Sequence, residues 1–502
     1  MATQKFTLMS RKKEKPLLEN VTIEAVAAEG KALAHVDGKV VFVQFAVPGD
    51  IVNIQVTKIR KGYLEGYIAR LLQPSPDRIE PVCKHYGDCG GCKWQILPYP
   101  LQLAAKQQQV EDQLVRIGHL SLPGISPILG SDKQYYYRNK LEFTFSSRRW
   151  VLRGEDPEAL SDAERCGLGF HIGGFFDKVL DISHCHLQGD PSNDIRNFIH
   201  EVAIDNGLSF FDLREQTGLL RTLILRTAST GEIMLTVVFG PEGARYVDEA
   251  GRAAAGSPVA FLLDAIIKEF PQITSLNYVI NSKRNDTIND LEVVTWHGRD
   301  CIYEKMEDLS FKIGPKSFYQ TNSEQAYKLY SVVRRFALDK EGLATEDKYF
   351  KVPDNPIVYD LYTGTGTIAL FLHSIASKVV GIEYVPEAIE DAKCNAEYNH
   401  ITNSVFYAGD MKDVLNASFI EQNGHPSIVV LDPPRAGIHP DVAKVLTAAA
   451  PDRIIYVSCN PASQARDLQE FAPMYDILAV QPVDMFPHTH HVENVVYLAK
   501  RK

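Results

Sequence analysis

The sequence predicts an α/β fold joined to β-rich parts: an N-terminal β-barrel, a strand-rich central region and a C-terminal doubly wound parallel sheet. Three observations predict it. Between about 15 and 75, short alternating segments rich in β-branched residues are separated by Gly or Pro-Gly-Asp turns. From about 130 to 315, apolar strand-like runs dominate. From about 316 onward, strands alternate with helical stretches, the order of a parallel sheet covered on both faces.

In chain order, the barrel is carried by VTIEAVAAEG, KALAHVDGKVVFVQFAVPGD and IVNIQVTKIRKGYLEGYIARLLQ. A cysteine cluster follows, CKHYGDCGGCKWQ, and then a helical run, LQLAAKQQQVEDQLVRIGHL. The central strands include YYYRNKLEFTFSS, LLRTLILRTAST and EIMLTVVFG. The C-terminal strands are IVYDLY, KVVGIE, SVFYAGD, SIVVLDPP and RIIYVSCN. In such a sheet, ligands sit at the carboxyl ends of the strands, so the informative residues belong there.

A chain of 502 residues exceeds one hydrophobic core and suggests about three domains. Its 45% hydrophobic and 23% charged residues are ordinary for a soluble globular protein. MATQKFTLMSRKKEK lacks the apolar stretch of a signal peptide, and no later run is long enough to span a bilayer. A cytosolic setting without a membrane partner is expected. The net charge of -10 weighs mildly against nucleic acid, although binding by a local patch escapes that argument. Basic residues gather at Arg11, Lys12, Lys13 and Lys15, at Lys58, Arg60 and Lys61, and at Arg148 and Arg149. Each set also reads as a solvated face.

The eight cysteines are Cys83, Cys89, Cys92, Cys166, Cys185, Cys301, Cys394 and Cys459. Disulfides are rare in the cytosol, and three cysteines between positions 83 and 92 suggest metal chemistry. On spacing, four thiolates suit zinc or an iron–sulfur cluster, with zinc the stronger choice, and Cys166 competes with Cys185 for the fourth place.

Strand IVYDLY runs into Tyr362, Thr363, Gly364, Thr365, Gly366 and Thr367 before a helix. The glycines permit a tight turn beside a nucleotide-like cofactor. The loop alone fits either a nicotinamide or S-adenosylmethionine. Glu383, ending the second strand, suits ribose hydroxyls, and Asp410, ending the third, suits the adenine side. The fourth and fifth strand ends discriminate. Asp432, Pro433, Pro434 and Arg435 lack the aromatic residue that amine methyltransferases carry after the Pro-Pro pair, which favours methylation at carbon.

C5 of uracil is a poor nucleophile until a thiolate adds to C6. A base must then remove the C5 proton. Cys459, in SCNP between a strand and a helix, is the candidate thiol, and the helix dipole is expected to lower its pKa. A lone Cys is more commonly an inert core thiol, and the position of Cys459 at a strand end weighs against that reading. Glu493, in HTHHVENVVYL, is the candidate base, with a pKa expected to be raised by partial desolvation. His488, His490 and His491 rank lower, as metal ligands.

Together the barrel, CKHYGDCGGCKWQ, FYQTN, DLYTGTGTIAL, LDPPRAG, SCNP and HHVENV resemble the RNA uracil-5-methyltransferase family, in particular its 23S ribosomal RNA branch with a TRAM domain. The resemblance covers nearly the whole chain. It implies a TRAM-like, OB-like RNA-binding barrel over 10–75 and a central iron–sulfur domain over 76–97 and 130–315. It further implies a Rossmann-like S-adenosylmethionine methyltransferase domain over 98–129 and 316–502. Cys459 is implied as nucleophile and Glu493 as base. Gln320, Tyr362, Thr367, Glu383, Asp410 and Asp432 are implied as contacts to the cofactor or target base. YTGTGT, which contains Thr367, stands where relatives often have a Cys and an Asn, a departure from the family pattern. Cys83, Cys89, Cys92 and Cys185 are implied as ligands of a [4Fe-4S] cluster, with zinc as the alternative, in a structural or RNA-positioning role.

The implied partner is RNA, with the target base flipped out of a folded loop. Transfer RNA is the alternative to 23S ribosomal RNA, and the chain is expected to act as a monomer. Lys58, Arg60 and Lys61 are candidate phosphate contacts. Two other classes stay open: an iron–sulfur RNA-binding protein without catalysis, and a nicotinamide oxidoreductase, which gives no reason for SCN or DPPR.

Overall fold

The computed structural model describes residues 15–502, so the basic residues Arg11, Lys12 and Lys13, and the start of the predicted barrel, lie outside the described residues. The described chain forms two compact units. One comprises residues up to Pro81 with Lys93–Ala105 and His488–His490; the other comprises Val82–Cys92, Lys106–Pro487 and His491–Lys502.

In the first unit, six strands form one sheet, running in spatial order Leu17–Thr22, Ile51–Ile59, Tyr63–Gln73, Lys39–Val43, Ala32–Val36 and Ala25–Val26. Alternate residues Val52, Ile54 and Val56 face a core shared with Val21, Ile23, Ala34, Val41 and Val43. Asp50 of the Pro-Gly-Asp turn is fully buried and bonded to Arg78 at 2.6 Å, and its carboxylate also accepts the Val47 and Ser75 N–H groups. The turn that sets the spacing of this sheet is therefore pinned at its tip.

The second unit holds a seven-stranded mixed sheet in its middle part. Leu220–Thr227 pairs antiparallel with both Lys140–Ser146 and Ile233–Phe239, and Ile233–Phe239 pairs parallel with Ser275–Ile280. Helices Ser192–Asp205 and Pro258–Glu269 bury Ile195, Ile199, Val259 and Leu263 against it. Of the run YYYRNKLEFTFSS, only the part from Lys140 becomes a strand; Tyr136 and Arg138 instead bond to the carbonyls of His186 and Leu187.

The C-terminal sheet has strands β1 (Ile357–Leu361), β2 (Lys378–Glu383), β3 (Ser404–Ala408), β4 (Ile428–Leu431), β5 (Arg453–Ser458), β6 (Tyr475–Val483) and β7 (Glu493–Lys500). Their order is β3-β2-β1-β4-β5-β7-β6. The first five are mutually parallel, whereas β7 runs antiparallel between β5 and β6. The all-parallel expectation is thus corrected at one edge, because a short connection returns β7 beside β6 instead of crossing over a face. Val358, Val430, Ile455 and Val457 pack on one face with Leu329, Val333 and Phe336 of helix Ser323–Leu338. Tyr359, Leu361, Val429, Leu431 and Tyr456 pack on the other with Leu446 and Leu468. Val110 and Leu114, distant in sequence, join this second face. Two buried faces explain why these strands are continuous apolar runs. Among the described residues, no helix is long and apolar enough to cross a membrane.

Candidate active site

Every strand of the parallel part delivers a chemistry-bearing residue to the same edge of the sheet. Tyr362 follows β1, Glu383 ends β2, Asp410 follows β3, Asp432 follows β4 and Cys459 follows β5. Because β7 is antiparallel, its first residue, Glu493, lies at that edge too. These six, with Gln320 and Thr367, line one cleft of about 1400 Å³.

The first loop is built by conformation. Tyr362, Gly364 and Gly366 have φ values of 66°, 56° and 78°. A side chain at Gly366 would come within 2.9 Å of the Ala392 Cβ, so the close approach of loop to helix requires glycine as much as the dihedral does. Open space lies where Gly364 would carry a Cβ, leaving room for a ligand. The Gly364 and Val385 N–H groups donate to the two oxygens of Glu383, each at 3.1 Å. Thr365 donates to the Phe318 carbonyl at 3.1 Å and lies 3.3 Å from the Thr367 hydroxyl. Asp410 pairs with Lys412 at 3.1 Å, whose ammonium holds its carboxyl below the ordinary range.

The other half of the cleft follows from register. Ser458 pairs with Asn494 at the end of the β5–β7 ladder, so Cys459 leaves β5 beside the start of β7 at Glu493, near enough for the Glu493 charge to act on the thiol. Glu493 is 7% exposed, and burial first, then Asp432, raise its pKa well above the carboxylate range. Asp432 is pushed up to about 7 by burial and by Asp360, itself buried and raised to about 7. Burial, Glu493 and Asp432 push the Cys459 thiol up to about 11. This corrects the expectation that the helix dipole lowers it: Asn460 caps helix Pro461–Phe471, but desolvation beside two acids outweighs the helix end. Arg435 opposes the shift at both Cys459 and Glu493. Its carbonyl accepts from Asn460 and Ser463, each at 3.0 Å, and its guanidinium donates to His491 Nδ1 at 2.9 Å.

Gln320 is placed by the central sheet. Asn139, just before strand Lys140–Ser146, donates its side-chain amide to the Gln320 carbonyl at 2.9 Å and its N–H to the Thr321 carbonyl at 2.8 Å. Three cleft features were not singled out from sequence. Asp360 lies under the loop and accepts from Thr363 at 2.5 Å; its signal is an acid inside an apolar strand. Tyr384 and Phe318 line the cleft while 67% exposed, and their signal is an aromatic beside a site residue.

The cysteine cluster lies apart from this cleft. Cys185 is 8% exposed in the central core, against which Cys89, Cys92 and Cys166 are partly buried. Burial raises the Cys185 thiol, and Cys83 is close enough to add to the shift. Cys83 and Cys92 likewise act together on Tyr135. Cys166 is raised to about 11 by burial beside Asp162 and Asp181. Among the described residues, no group of three or more His, Cys, Asp or Glu side chains is disposed to hold a metal ion, and this includes His488, His490 and His491. Of the basic sets, Lys58 is paired with Glu65, Arg148 with Asp212 and Arg149 with Glu155, while Arg60 and Lys61 are exposed.

Residues 294–501 match the family model described as tRNA (Uracil-5-)-methyltransferase, and residues 19–69 match the TRAM domain. The chain is 54% identical over 476 residues to an RNA methyltransferase of Bacteroides thetaiotaomicron named as uncharacterized, covering 95% of this chain and all of that one. A Porphyromonas gingivalis protein of the same name is 54% identical over 485 residues, covering 95% and 99%. The crystal structure of Pyrococcus abyssi tRNA (uracil-54, C5)-methyltransferase in complex with S-adenosyl-L-homocysteine aligns with a TM-score of 0.70. Its identity is 26%, with 95% of this chain and 99% of that chain covered.

Proposed function

The chain belongs to the RNA uracil-5-methyltransferase family and is an S-adenosylmethionine-dependent RNA methyltransferase with a TRAM domain, and we propose that it methylates C5 of a uridine in 23S ribosomal RNA through a covalent adduct at Cys459. The observation that supports the mechanism is that Cys459 shares one cleft with Glu493, Asp432 and Arg435, whose charges all act on its thiol.

The residues present suit the cofactor: a left-handed glycine loop open at Gly364, and acids at the ends of β2 and β3. Glu383 is assigned to the ribose and Asp410 to the adenine side. Gln320, Tyr362, Thr367 and Asp432 are assigned to the sulfonium end and the flipped base. S-adenosylmethionine, when bound, supplies the electrophilic methyl that C5 takes. Cys459 adds as thiolate to C6 of the uracil, which moves the electron pair of the 5,6-double bond onto C5 and O4. After transfer, Glu493 as carboxylate removes the C5 proton. The C5–H electron pair then re-forms the double bond and expels the Cys459 thiolate. Both groups must be anionic in turn, and Arg435 offsets the burial that opposes this.

Cys83, Cys89, Cys92 and Cys185 are assigned to a [4Fe-4S] cluster on the family resemblance of CKHYGDCGGCKWQ, a soft donor set that would brace the central domain; the described side chains do not by themselves form a metal-binding group. Cys83 acts on the Cys185 thiol, and Cys83 and Cys92 both act on Tyr135, whereas the Cys166 thiol is influenced by Asp162 and Asp181; this supports the set over one containing Cys166. The proposed domains are 10–75, 76–97 with 130–315, and 98–129 with 316–502; Val110 and Leu114 in the core beside Tyr359 support the last.

The ribosomal assignment rests on the combination of barrel and cysteine cluster. A transfer RNA substrate is the second reading, favoured by the Pyrococcus abyssi enzyme, which acts on tRNA uracil-54. Mapping 5-methyluridine in ribosomal and transfer RNA from cells with and without the gene separates them. Loss confined to 23S RNA is expected; loss confined to transfer RNA transfers the proposal there.

A further inference from the structure

We propose that Tyr136, braced by His184 and His186, is a stacking platform for an unpaired nucleobase of the substrate RNA other than the target uridine. This inference rests on the RNA-methylation reading and adds a second point of RNA contact to it.

Three observations carry it. Tyr136 is 47% exposed, so a large apolar ring is presented to solvent outside the cleft. It is held there at φ 56°, a left-handed conformation that is costly for an aromatic residue and is kept only where neighbours enforce it. The His184–Leu187 segment supplies that enforcement. The Tyr136 N–H donates to the His186 carbonyl at 2.8 Å, and the Arg138 N–H donates to the Leu187 carbonyl at 2.7 Å. The Tyr136 hydroxyl lies 3.1 Å from His186 Nδ1 and 3.4 Å from His184 Nε2. The two imidazoles pack at 4.3 Å between centroids, and each meets the tyrosine ring edge-on, at 6.0 and 6.4 Å. Edge contacts and a tethered hydroxyl hold a ring that stays 47% exposed, so that a stacked partner can reach it.

The occupant follows from continuity with the cleft. Two residues on, the Arg138 guanidinium lies over the ring of Phe486, which lines the cleft, at 5.0 Å from its centroid. The next residue, Asn139, holds the backbone of Gln320. A strand of RNA leaving the cleft along this segment meets Tyr136. Aromatic rings receive unpaired bases with little sequence preference, because every base has a π face.

The test uses the full-length protein and the shortest RNA hairpin it methylates, with affinity read by fluorescence anisotropy. Tyr136→Asn removes the ring while tolerating the left-handed backbone; Tyr136→Phe keeps the ring and loses only the hydroxyl. The expected result is about tenfold weaker RNA binding for Tyr136→Asn and less than about twofold for Tyr136→Phe. S-adenosylmethionine affinity should be unchanged in both. In a scan of single abasic substitutions around the target, one position should weaken the wild type by a similar factor and leave Tyr136→Asn unaffected. Unchanged RNA binding by Tyr136→Asn, an equal loss in Tyr136→Phe, or additivity at every abasic position overturns the platform. If the wild type methylates no RNA, the functional reading fails instead, so the two failures are distinct.

Discussion

Cys459 directly follows, and Glu493 directly precedes, the last pair of the β5–β7 ladder, Ser458 with Asn494, and the Glu493 carboxylate acts on the Cys459 thiol. This strand register brings the thiol and the carboxylate into the same cleft. The chemistry assigned here depends on that register.

Replacing Glu493 with Gln should separate the two halves of the reaction. Methyl transfer within one turnover should persist, while steady-state turnover falls by about 100-fold or more, the usual worth of a positioned base. A methylated protein–RNA adduct should then accumulate on a denaturing gel with ordinary uridine RNA. Normal turnover, or no adduct despite methyl transfer, would remove Glu493 from the base role.

Arg435 is the charge common to both reacting groups. Arg435→Met removes the influence that opposes burial at Cys459 and Glu493, so both pKa values should rise further. Activity near pH 7.5 should drop about 100-fold, and the limb of the pH–rate profile that gains activity with rising pH should move to higher pH. Arg435→Lys should recover part of the loss. An unmoved limb would show that Arg435 acts by shape alone.

Asp360 and Asp432, both raised to about 7, link pH to cofactor binding and stability. A sulfonium cation favours their ionised forms, so S-adenosylmethionine binding should strengthen from pH 6 to 8, by at most about tenfold per pH unit for each proton released. S-adenosylhomocysteine, neutral at sulfur, should show a flatter profile. Without ligand the sign reverses. The folded pKa values exceed the unfolded ones, so the contribution of the protonated acids is full at low pH and is lost as pH rises through about 7. Calorimetric titration in buffers of different ionisation heat, with melting curves of the apo protein, checks both; Asp432→Asn should flatten each dependence.

Anaerobically prepared protein should carry about four irons per chain with matching acid-labile sulfide. Cys185→Ser should lose them and Cys166→Ser should keep them. Stoichiometric zinc, or loss from Cys166→Ser alone, would overturn the assignment of the cluster or of its fourth ligand.

The strand ends were legible because each lies where an apolar run stops: Glu383 after KVVGI and Asp432 after SIVVL need no tertiary information. The insertion of β7 between β5 and β6 was not legible. Strand pairing is set by packing of distant segments, and it is this pairing that puts Glu493 beside Cys459. The sign of the Cys459 shift failed for a related reason. A helix end is visible in SCNP, whereas burial of the thiol and the charges of Glu493 and Asp432 around it exist only once three strands are assembled. The Tyr136–His184–His186 cluster likewise joins segments almost fifty residues apart through backbone bonds that no local pattern signals.

A covalent bond from Cys459 to the uracil ring can be trapped with RNA carrying 5-fluorouridine at the mapped position. Fluorine at C5 leaves no proton for Glu493 to remove, so the adduct cannot collapse. With S-adenosylmethionine present, mass spectrometry should find one RNA-linked, methylated peptide containing Cys459 in the wild type and none in Cys459→Ala, which should still bind the cofactor. An adduct at another residue, or full methylation by Cys459→Ala, would contradict the account.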